Sequence, residues 1–270
     1  MPAHVMTENP AAAPLPSSAG SAAPPPPREG WAVPAGRGGD WWGSAWRLFT
    51  AAPAIWIIIT VVYVALMMVL SLIPILGQVA VSLLHPVFAG GIVLGCREQD
   101  RGGELSVQHL FAGFNEKLGP LVIVALLYLA GWFVVGCFTV ALAFATLGGG
   151  VLAALASGDP MEAGAVLLGT VGLTALMVLL VGLLFAVPLL MAFWFAPALV
   201  VLRGDEPVAA MQTSFRACLR NVPPFLIYGL LGILFVILAC IPFFLGLLVL
   251  IPVGLATLYT SYKDIFGVPA

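Results

Sequence analysis

The sequence predicts an all-α membrane protein, a polytopic bundle of six transmembrane helices with short interfacial amphipathic helices. Three observations predict this class. Of the 270 residues, 61% are hydrophobic and only 8% are charged, whereas about 25% of the residues in an ordinary soluble domain are charged. The mean hydropathy is +1.11. Four long stretches, 48–96, 118–158, 163–202 and 221–262, contain no Asp, Glu, Lys or Arg, and one span needs only about 20 apolar residues.

Residues 1–39 form a segment rich in Pro, Ala, Ser and Gly. Such a composition cannot bury enough apolar surface to offset the entropy cost of ordering, so we expect a disordered cytoplasmic tail. From there we expect the six-helix transmembrane domain, 40–270. Trp42, Trp46 and Phe49 lie at helical spacing, which predicts a short interfacial helix that leads into the first span.

The spans follow from the uncharged stretches and from the turn residues within them. The first and last stretches each hold two spans, hinged near 73–77 and 241–246. The second stretch ends in three glycines, 148–150, and a loop of small residues. The third begins at a helix cap, Asp159, and is either one span kinked near Pro188 or a span followed by an interfacial segment. The predicted spans lie at about 54–76, 79–96, 118–147, 163–202, 222–241 and 245–262.

The basic residues predict the orientation. All ten Lys and Arg residues lie in the first 47 residues, in the connections after the second and fourth predicted spans, or after the last span. With six spans, every basic residue falls on one side, which the positive-inside rule assigns to the cytoplasm. We therefore expect a multi-pass protein of a bacterial inner membrane, with both termini in the cytoplasm and residues 148–162 outside.

Two parts of the sequence resemble each other. Residues 88–93 resemble 195–200, and each segment is followed by an Arg-Gly loop, an amphipathic segment and another apolar stretch. The amphipathic segments are 104–116 and 206–220. The order of span, cytoplasmic loop, interfacial helix and span therefore occurs twice in the same orientation, which predicts a parallel internal repeat.

Two groups of polar residues are candidate sites. Gln78, Ser82 and His85 lie on one face of the second span. They predict either a polar patch that lines a cavity or hydrogen bonds between helices. Arg216 and Arg220 lie one turn apart on the second amphipathic segment, where we expect them to contact anionic lipid head groups. The alternative is that this segment packs beneath the bundle's own loops.

The expected partners are membrane lipids and membrane proteins. Gly91 and Gly95 form a GxxxG pair in the second span, which favours close helix packing and predicts contact with another membrane protein or self-association. The net charge is −2, so no basic excess indicates binding to nucleic acid.

Motifs for catalysis or metal binding are absent from the sequence. The predicted spans contain no Asp, Glu, Lys or Arg, which argues against a proton-coupled carrier. The four cysteines form no CxxC pair, and no histidine stands at metal-ligand spacing. We therefore expect no enzymatic activity, no cofactor and no metal.

Several short motifs between residues 30 and 270 are similar to those of a known family. They include Trp46-Arg47-Leu48-Phe49, Phe88-Ala89-Gly90-Gly91, His109-Leu110-Phe111-Ala112-Gly113-Phe114, Phe195-Ala196-Pro197-Ala198-Leu199 and Tyr262-Lys263-Asp264-Ile265-Phe266. On these motifs the chain resembles a family of uncharacterised proteobacterial inner-membrane proteins with six helices. It is more distantly similar to the membrane domain that precedes some glycerophosphodiester phosphodiesterases. The 270 residues contain no counterpart of the catalytic barrel of those enzymes, so the resemblance implies no activity and no site residues.

These observations favour a non-enzymatic function. We expect a membrane scaffold or envelope factor that binds lipid or a membrane partner. The alternative is a facilitator or transporter of a neutral or amphipathic solute, with Gln78, Ser82 and His85 near its path. A continuous polar cavity through the bundle would favour transport, whereas a closed core with an apolar lateral groove would favour binding.

Overall fold

A computed structural model describes residues 29–267, and within this range it contains helices and no β-strand. The expected all-α membrane bundle is confirmed. In chain order the elements are α1 (Arg37–Ala51), α2 (Pro53–Ser71), α3 (Leu76–Asp100), a 3₁₀ helix (Val107–Phe111), α4 (Ala112–Glu116), α5 (Leu118–Ser157), α6 (Pro160–Trp194), α7 (Ala196–Arg203), α8 (Pro207–Arg220), α9 (Val222–Cys240) and α10 (Leu247–Phe266). Most of the predicted disordered tail, 1–28, lies outside the described residues.

The described part of the predicted tail is ordered against the bundle. The backbone N–H of Trp31 donates to the carbonyl oxygen of Ile265 at 2.7 Å. The backbone N–H of Val33 donates to Oδ1 of Asn221 at 2.8 Å. Helix α1 begins at Arg37, so the ordered body starts before the predicted boundary at residue 40. Composition does not reveal this, because the hydrogen-bond partners lie about 190 to 230 residues away in the sequence.

Antiparallel helical hairpins build the bundle. Helices α2 and α3 are joined by residues 72–75, α5 and α6 by 158–159, and α9 and α10 by 241–246. The predicted hinges near 73–77 and 241–246 are therefore confirmed as turns. The predicted cap is also present, since Oδ1 of Asp159 accepts from the backbone N–H of Met161 at 2.7 Å.

The open ends of these hairpins lie on one side of the molecule, together with α1, the 3₁₀ helix, α4 and α8. Contacts across each hairpin place these ends together: Trp56 with Gln99, Tyr128 with Phe193, and Tyr228 with Thr257. We call this the basic side, because the described Lys and Arg residues belong to it: Arg37, Arg47, Arg97, Arg101, Lys117, Arg203, Arg216, Arg220 and Lys263. The predicted clustering of the basic residues on one side therefore follows from the helix connections.

Within residues 29–267, five helices are long and apolar enough to cross a membrane. They are Pro53–Ser71, Leu76–Asp100, Leu118–Ser157, Pro160–Arg203 and Val222–Cys240. The sixth predicted span, 245–262, falls in α10, which does not meet this criterion. Helix α10 carries buried polar residues at Thr257, Thr260 and Ser261 and packs against α1, α2, α3 and α9. The count of six spans stays a prediction.

Helix α5 is longer than the sequence predicted. It continues through Gly148–Gly150, where we expected a loop, and ends at Ser157. Three glycines weaken an isolated helix by about 1 kcal/mol each relative to alanine. The antiparallel α6 supports the last of the three, because Gly150 lies directly against the side chain of Thr170, whereas Gly148 and Gly149 are open. Helix α6 likewise runs through Pro188 without interruption, and Phe195 separates it from α7.

The two segments predicted as a repeat have the same order of elements. In the first, the 3₁₀ helix folds back onto α3, and a Cβ at Gly91 would lie 2.5 Å from the carbonyl oxygen of His109. In the second, α8 folds back onto α6 and α7. There Oγ of Ser214 accepts from the N–H of Phe195 at 2.9 Å and donates to the carbonyl oxygen of Met191 at 2.6 Å. Each connection therefore stabilises the end of the helix that precedes it.

Candidate functional site

A groove of about 340 Å³ lies in the centre of the bundle, between α2, α3, α5, α6, α7 and α10. Most of the side chains that line this central groove are apolar. Four of them also carry a polar atom: Tyr63, His85, Tyr128 and Trp194. A mostly apolar pocket with a few polar groups is typical of small-molecule and lipid sites.

Two polar side chains of the central groove lie well inside helices that are long and apolar enough to cross a membrane. Tyr63 is ten residues after the start of α2 at Pro53, and Tyr128 is ten residues after the start of α5 at Leu118. At a rise of 1.5 Å per residue, both lie about 15 Å from the basic side. This is about half of a 30 Å hydrocarbon core. Polar groups at this depth are costly unless they are paired, and so they indicate a functional site.

One polar atom of the groove has no partner in the part of the chain that the structure describes. The Nε1 of Trp194 is buried without a hydrogen-bond acceptor. The indole ring is held edge-on by Phe225 and Tyr228, with ring centroids 5.6 and 5.7 Å away. A buried N–H that lacks an acceptor costs about 1–3 kcal/mol. A ligand with an acceptor oxygen would remove this cost.

The predicted polar patch is only partly assembled. His85 lines the central groove, and its ring lies 5.7 Å from that of Phe193. Ser82 instead donates to the carbonyl oxygen of Gln78 at 2.8 Å within α3. Gln78 and Ser82 do not line the groove. The structure therefore separates His85 from the other two residues.

Sequence reasoning missed the other polar groups of the groove, Tyr63, Tyr128 and Trp194. Each lies inside an uncharged apolar stretch, where aromatic residues are expected to pack or face lipid. A usable signal for Tyr63 and Tyr128 was their position inside a span, ten residues from its start, since tyrosine favours the ends of a span. Trp194 is the last residue of α6 and gave no such signal.

A second cavity, the polar cleft, has a volume of about 520 Å³ and lies on the basic side between α1, α3 and α10. Its charged side chains largely pair with one another. Arg37 binds Asp264 through two nitrogens and contacts Asp40 at 3.4 Å. Nζ of Lys263 lies 2.6 Å from Oδ2 of Asp100. The hydrogen bond that Arg37 donates to the Asp264 carboxylate raises the pKa of Arg37 above its ordinary value, so the guanidinium stays charged.

The polar cleft and the central groove are separate cavities that share no lining residue. Trp56, which is fully buried, donates from Nε1 to the carbonyl oxygen of Leu48 at 3.1 Å and to Oε1 of Gln99 at 3.2 Å. On α3, the buried Val93 and Cys96 lie between the part that lines the groove and the part that lines the cleft. These two cavities therefore do not form one continuous polar path.

Arg216 and Arg220 have a partner within the chain. Both pair with Glu29, at 2.9 and 2.5 Å, and both guanidinium groups remain about half exposed. Glu29 belongs to the segment predicted to be disordered, so this pairing was not foreseen. The opposite face of α8 is buried against the bundle, and burial raises the pKa of the Cys218 thiol to about 12. Contact of the two arginines with lipid head groups stays a prediction.

The GxxxG pair is covered within the chain. Gly91 lies against the carbonyl oxygens of His109 and Leu110, and Gly95 lies against the side chains of Leu105 and His109. The close approach predicted for this pair is therefore made by the chain's own 3₁₀ connection. Within residues 29–267, no group of three or more His, Cys, Asp or Glu side chains is placed so that it could hold a metal ion.

Comparison with known proteins gives one strong relative. The chain is 31% identical over 257 residues to a probable inner membrane protein of Burkholderia thailandensis. The aligned region covers 87% of this chain and 93% of the relative. No family model and no solved structure matches the chain. The expected likeness to a bacterial inner-membrane family is confirmed, and the distant likeness to the membrane domain of glycerophosphodiester phosphodiesterases stays an expectation.

Proposed function

We propose that this chain, which belongs to a family of probable inner membrane proteins, is a membrane scaffold that binds one lipid molecule in its central groove. The observation that carries this proposal is the groove itself, a mostly apolar space lined by Trp194, whose Nε1 is buried without an acceptor in the described chain. An acyl chain would fill the apolar part of the groove. An ester carbonyl oxygen of the same lipid would accept the indole hydrogen.

The orientation is part of this proposal. We place the basic side in the cytoplasm, with both termini there, because Lys and Arg are enriched in the cytoplasmic loops of membrane proteins. The chain then crosses the membrane an even number of times, and α10 returns to the cytoplasm beside α9. The turn between α5 and α6 lies outside.

The separation of the two cavities favours binding over transport. A solute that entered from the polar cleft would meet the buried Trp56 and its hydrogen bonds before it reached the groove. We therefore propose a retained lipid, and we leave the facilitator hypothesis as an outcome of the test.

The test replaces a glycine that lines the groove with a larger residue. Gly254 lines the groove, and a Cβ there has no heavy atom within 4 Å, so Gly254→Leu occupies lipid space without an immediate clash. Gly136→Leu is the matched control, because Gly136 is equally open but is not part of the groove. Each protein is purified in native lipid, and the retained lipid is quantified by mass spectrometry.

We expect about one lipid per chain in the parent and the control, and a loss of most of it in Gly254→Leu. Trp194→Phe removes the N–H together with one ring of the indole, and we expect at least a fivefold to tenfold loss of affinity, about 1–1.5 kcal/mol for the hydrogen bond alone. Equal lipid retention in the parent and Gly254→Leu would contradict the proposal. A water-soluble molecule in the groove in place of lipid would also contradict it and would favour the facilitator.

A further inference from the structure

The hairpin of α5 and α6 is too long for the membrane that the other helices match. Helices α2 and α9 have 19 residues each, which gives a length of about 28 Å, close to a 30 Å hydrocarbon core. Helix α5 has 40 residues and is about 60 Å long. Helices α6 and α7 together, Pro160–Arg203, cover 44 residues on the way back.

Tilt does not resolve this mismatch. A 60 Å helix fits within a 30 Å core only at a tilt of about 60°, whereas transmembrane helices tilt by about 20° on average and by up to about 40°. At a tilt of 40°, about 26 residues of α5 cross the core. Residues 144–157 then lie beyond it, and the same arithmetic from Arg203 leaves 160–177 beyond it. We call 144–157 and 160–177 together the distal hairpin.

The distal hairpin is apolar although lipid cannot cover it. Its most exposed large side chains are 69–87% accessible: Phe144, Leu152, Leu155, Met161 and Leu168. Its carboxylates, Asp159 and Glu162, sit at the turn, and it has no Lys or Arg. An apolar surface of this extent outside a membrane marks an interaction site. The two helices hold each other, as in the 2.9 Å hydrogen bond between Oγ1 of Thr174 and Oγ1 of Thr146, but their outer faces contact nothing within the described chain.

We propose that the distal hairpin binds the distal hairpin of a second copy of this chain. The face has the size that such a dimer needs. About 25 Å of two helices, each about 10 Å wide, presents about 500 Å² per copy, and the resulting total of about 1,000 Å² is the lower bound for a specific interface. This inference does not depend on the lipid in the central groove.

The surface is also complementary to itself. Gly148, Gly149, Gly164, Gly169 and Gly172 have no heavy atom within 4 Å of a Cβ position, so they form open shallow sites along the two helices. The exposed leucines of a second copy supply the large side chains that fit such sites. In a twofold dimer one surface provides both kinds of residue, because the same patch faces itself. Small residues allow the backbones of the two copies to approach closely.

The test compares assembly in lipid. Parent protein and Leu152→Glu/Leu168→Glu are reconstituted at a series of protein-to-lipid ratios, and the fraction of dimers is measured by single-molecule photobleaching. We expect a dimer for the parent and at least a tenfold weaker dimer for the double variant, about 1.4 kcal/mol or more. The matched control is Leu226→Glu, a similarly exposed residue on α9 outside the hairpin.

A second measurement keeps the proposal testable if the glutamates prevent insertion. Single cysteines at 152 and at 226 are placed in chains that lack the four native cysteines, and the proteins are oxidised in native membranes. We expect covalent dimers of the chain with the cysteine at 152 and none with the cysteine at 226. A monomeric parent at every ratio, or cross-links from 152 only to a different protein, would overturn the proposal.

Discussion

The basic side and the distal hairpin use the same residue types in opposite ways. On the basic side, large aromatic residues such as Trp41, Trp56 and Tyr262 are buried, and Gly91 is filled by the backbone of the next connection. In the distal hairpin, leucines are exposed and Gly172 is open. The large side chains of the basic side are buried within the chain, whereas the distal hairpin has an apolar surface that no part of the described chain covers.

This difference shows why hydrophobicity alone does not locate the core of a membrane protein. Apolar side chains are stable against lipid, so the driving force for helix contact comes from close packing and hydrogen bonds. The ion pairs and tryptophan hydrogen bonds of this chain, such as Trp41 Nε1 to Asp264 at 2.9 Å, lie at the basic side. The fold is therefore held most firmly where the membrane ends.

The largest expected effect concerns the side of the membrane on which the distal hairpin and the basic side lie. In a chain that lacks the native cysteines, a cysteine at the exposed Met161 should react fully in intact cells with a maleimide that cannot cross the membrane. A cysteine at Gln212 on α8 should not react until the membrane is opened, because the positive-inside rule places the basic side in the cytoplasm. Reaction at 212 in intact cells would refute the proposed orientation.

The next effect compares Gly91, which packs against the 3₁₀ connection, with Gly172, which has no neighbour within 4 Å of its Cβ position. Gly91→Ala places a Cβ 2.5 Å from the carbonyl oxygen of His109 and 2.7 Å from that of Leu110, and we expect a destabilisation of about 1–3 kcal/mol from overpacking. Gly172→Ala meets nothing, and we expect a gain of about 0.5–1 kcal/mol from helix propensity. Unfolding by denaturant in mild detergent measures both. Equal free energies of unfolding for the two variants would show that the 3₁₀ connection does not pack tightly on α3.

The smallest effect concerns the ion pairs on α8. Glu29→Gln removes the partner of Arg216 and Arg220, and we expect a loss of less than about 1 kcal/mol, because half-exposed pairs are screened by water and salt. If the two arginines also contact lipid, the variant should retain more anionic lipid than the parent. Native mass spectrometry of phosphatidylglycerol retention, with melting temperatures measured beside it, distinguishes these roles. A loss of several kcal/mol would show that Glu29 anchors the N-terminal segment.

The helices were largely predictable because their signals are local. Uncharged stretches, the hinges near 73–77 and 241–246, and the cap at Asp159 each act through neighbouring residues. The predicted end of α5 was wrong because Gly150 packs against Thr170 of α6, which lies 20 residues away in the sequence. The start of the ordered body was placed too late because Asn221 and Ile265 hold the N-terminal segment from the other end of the chain.

The candidate site was predictable only at His85. A helical face can be read from spacing, and this identified Gln78, Ser82 and His85 as one patch. The depth of each side chain and the helices that face it depend on how hairpins pack together, and this brought His85 to Tyr63, Tyr128 and Trp194 while leaving the other two residues outside the groove.

The sequence by itself determined the class of protein, the positions of most turns and the clustering of the basic residues, because hydropathy, turn chemistry and charge are properties of short segments. The tertiary structure alone decided which glycines lie against other segments of the chain and which polar groups line the central groove. It also decided that the hairpin of α5 and α6 extends past its neighbours. These features depend on contacts between helices far apart in the chain. In a sequence that is apolar almost throughout, the hydrophobic pattern does not mark which faces meet.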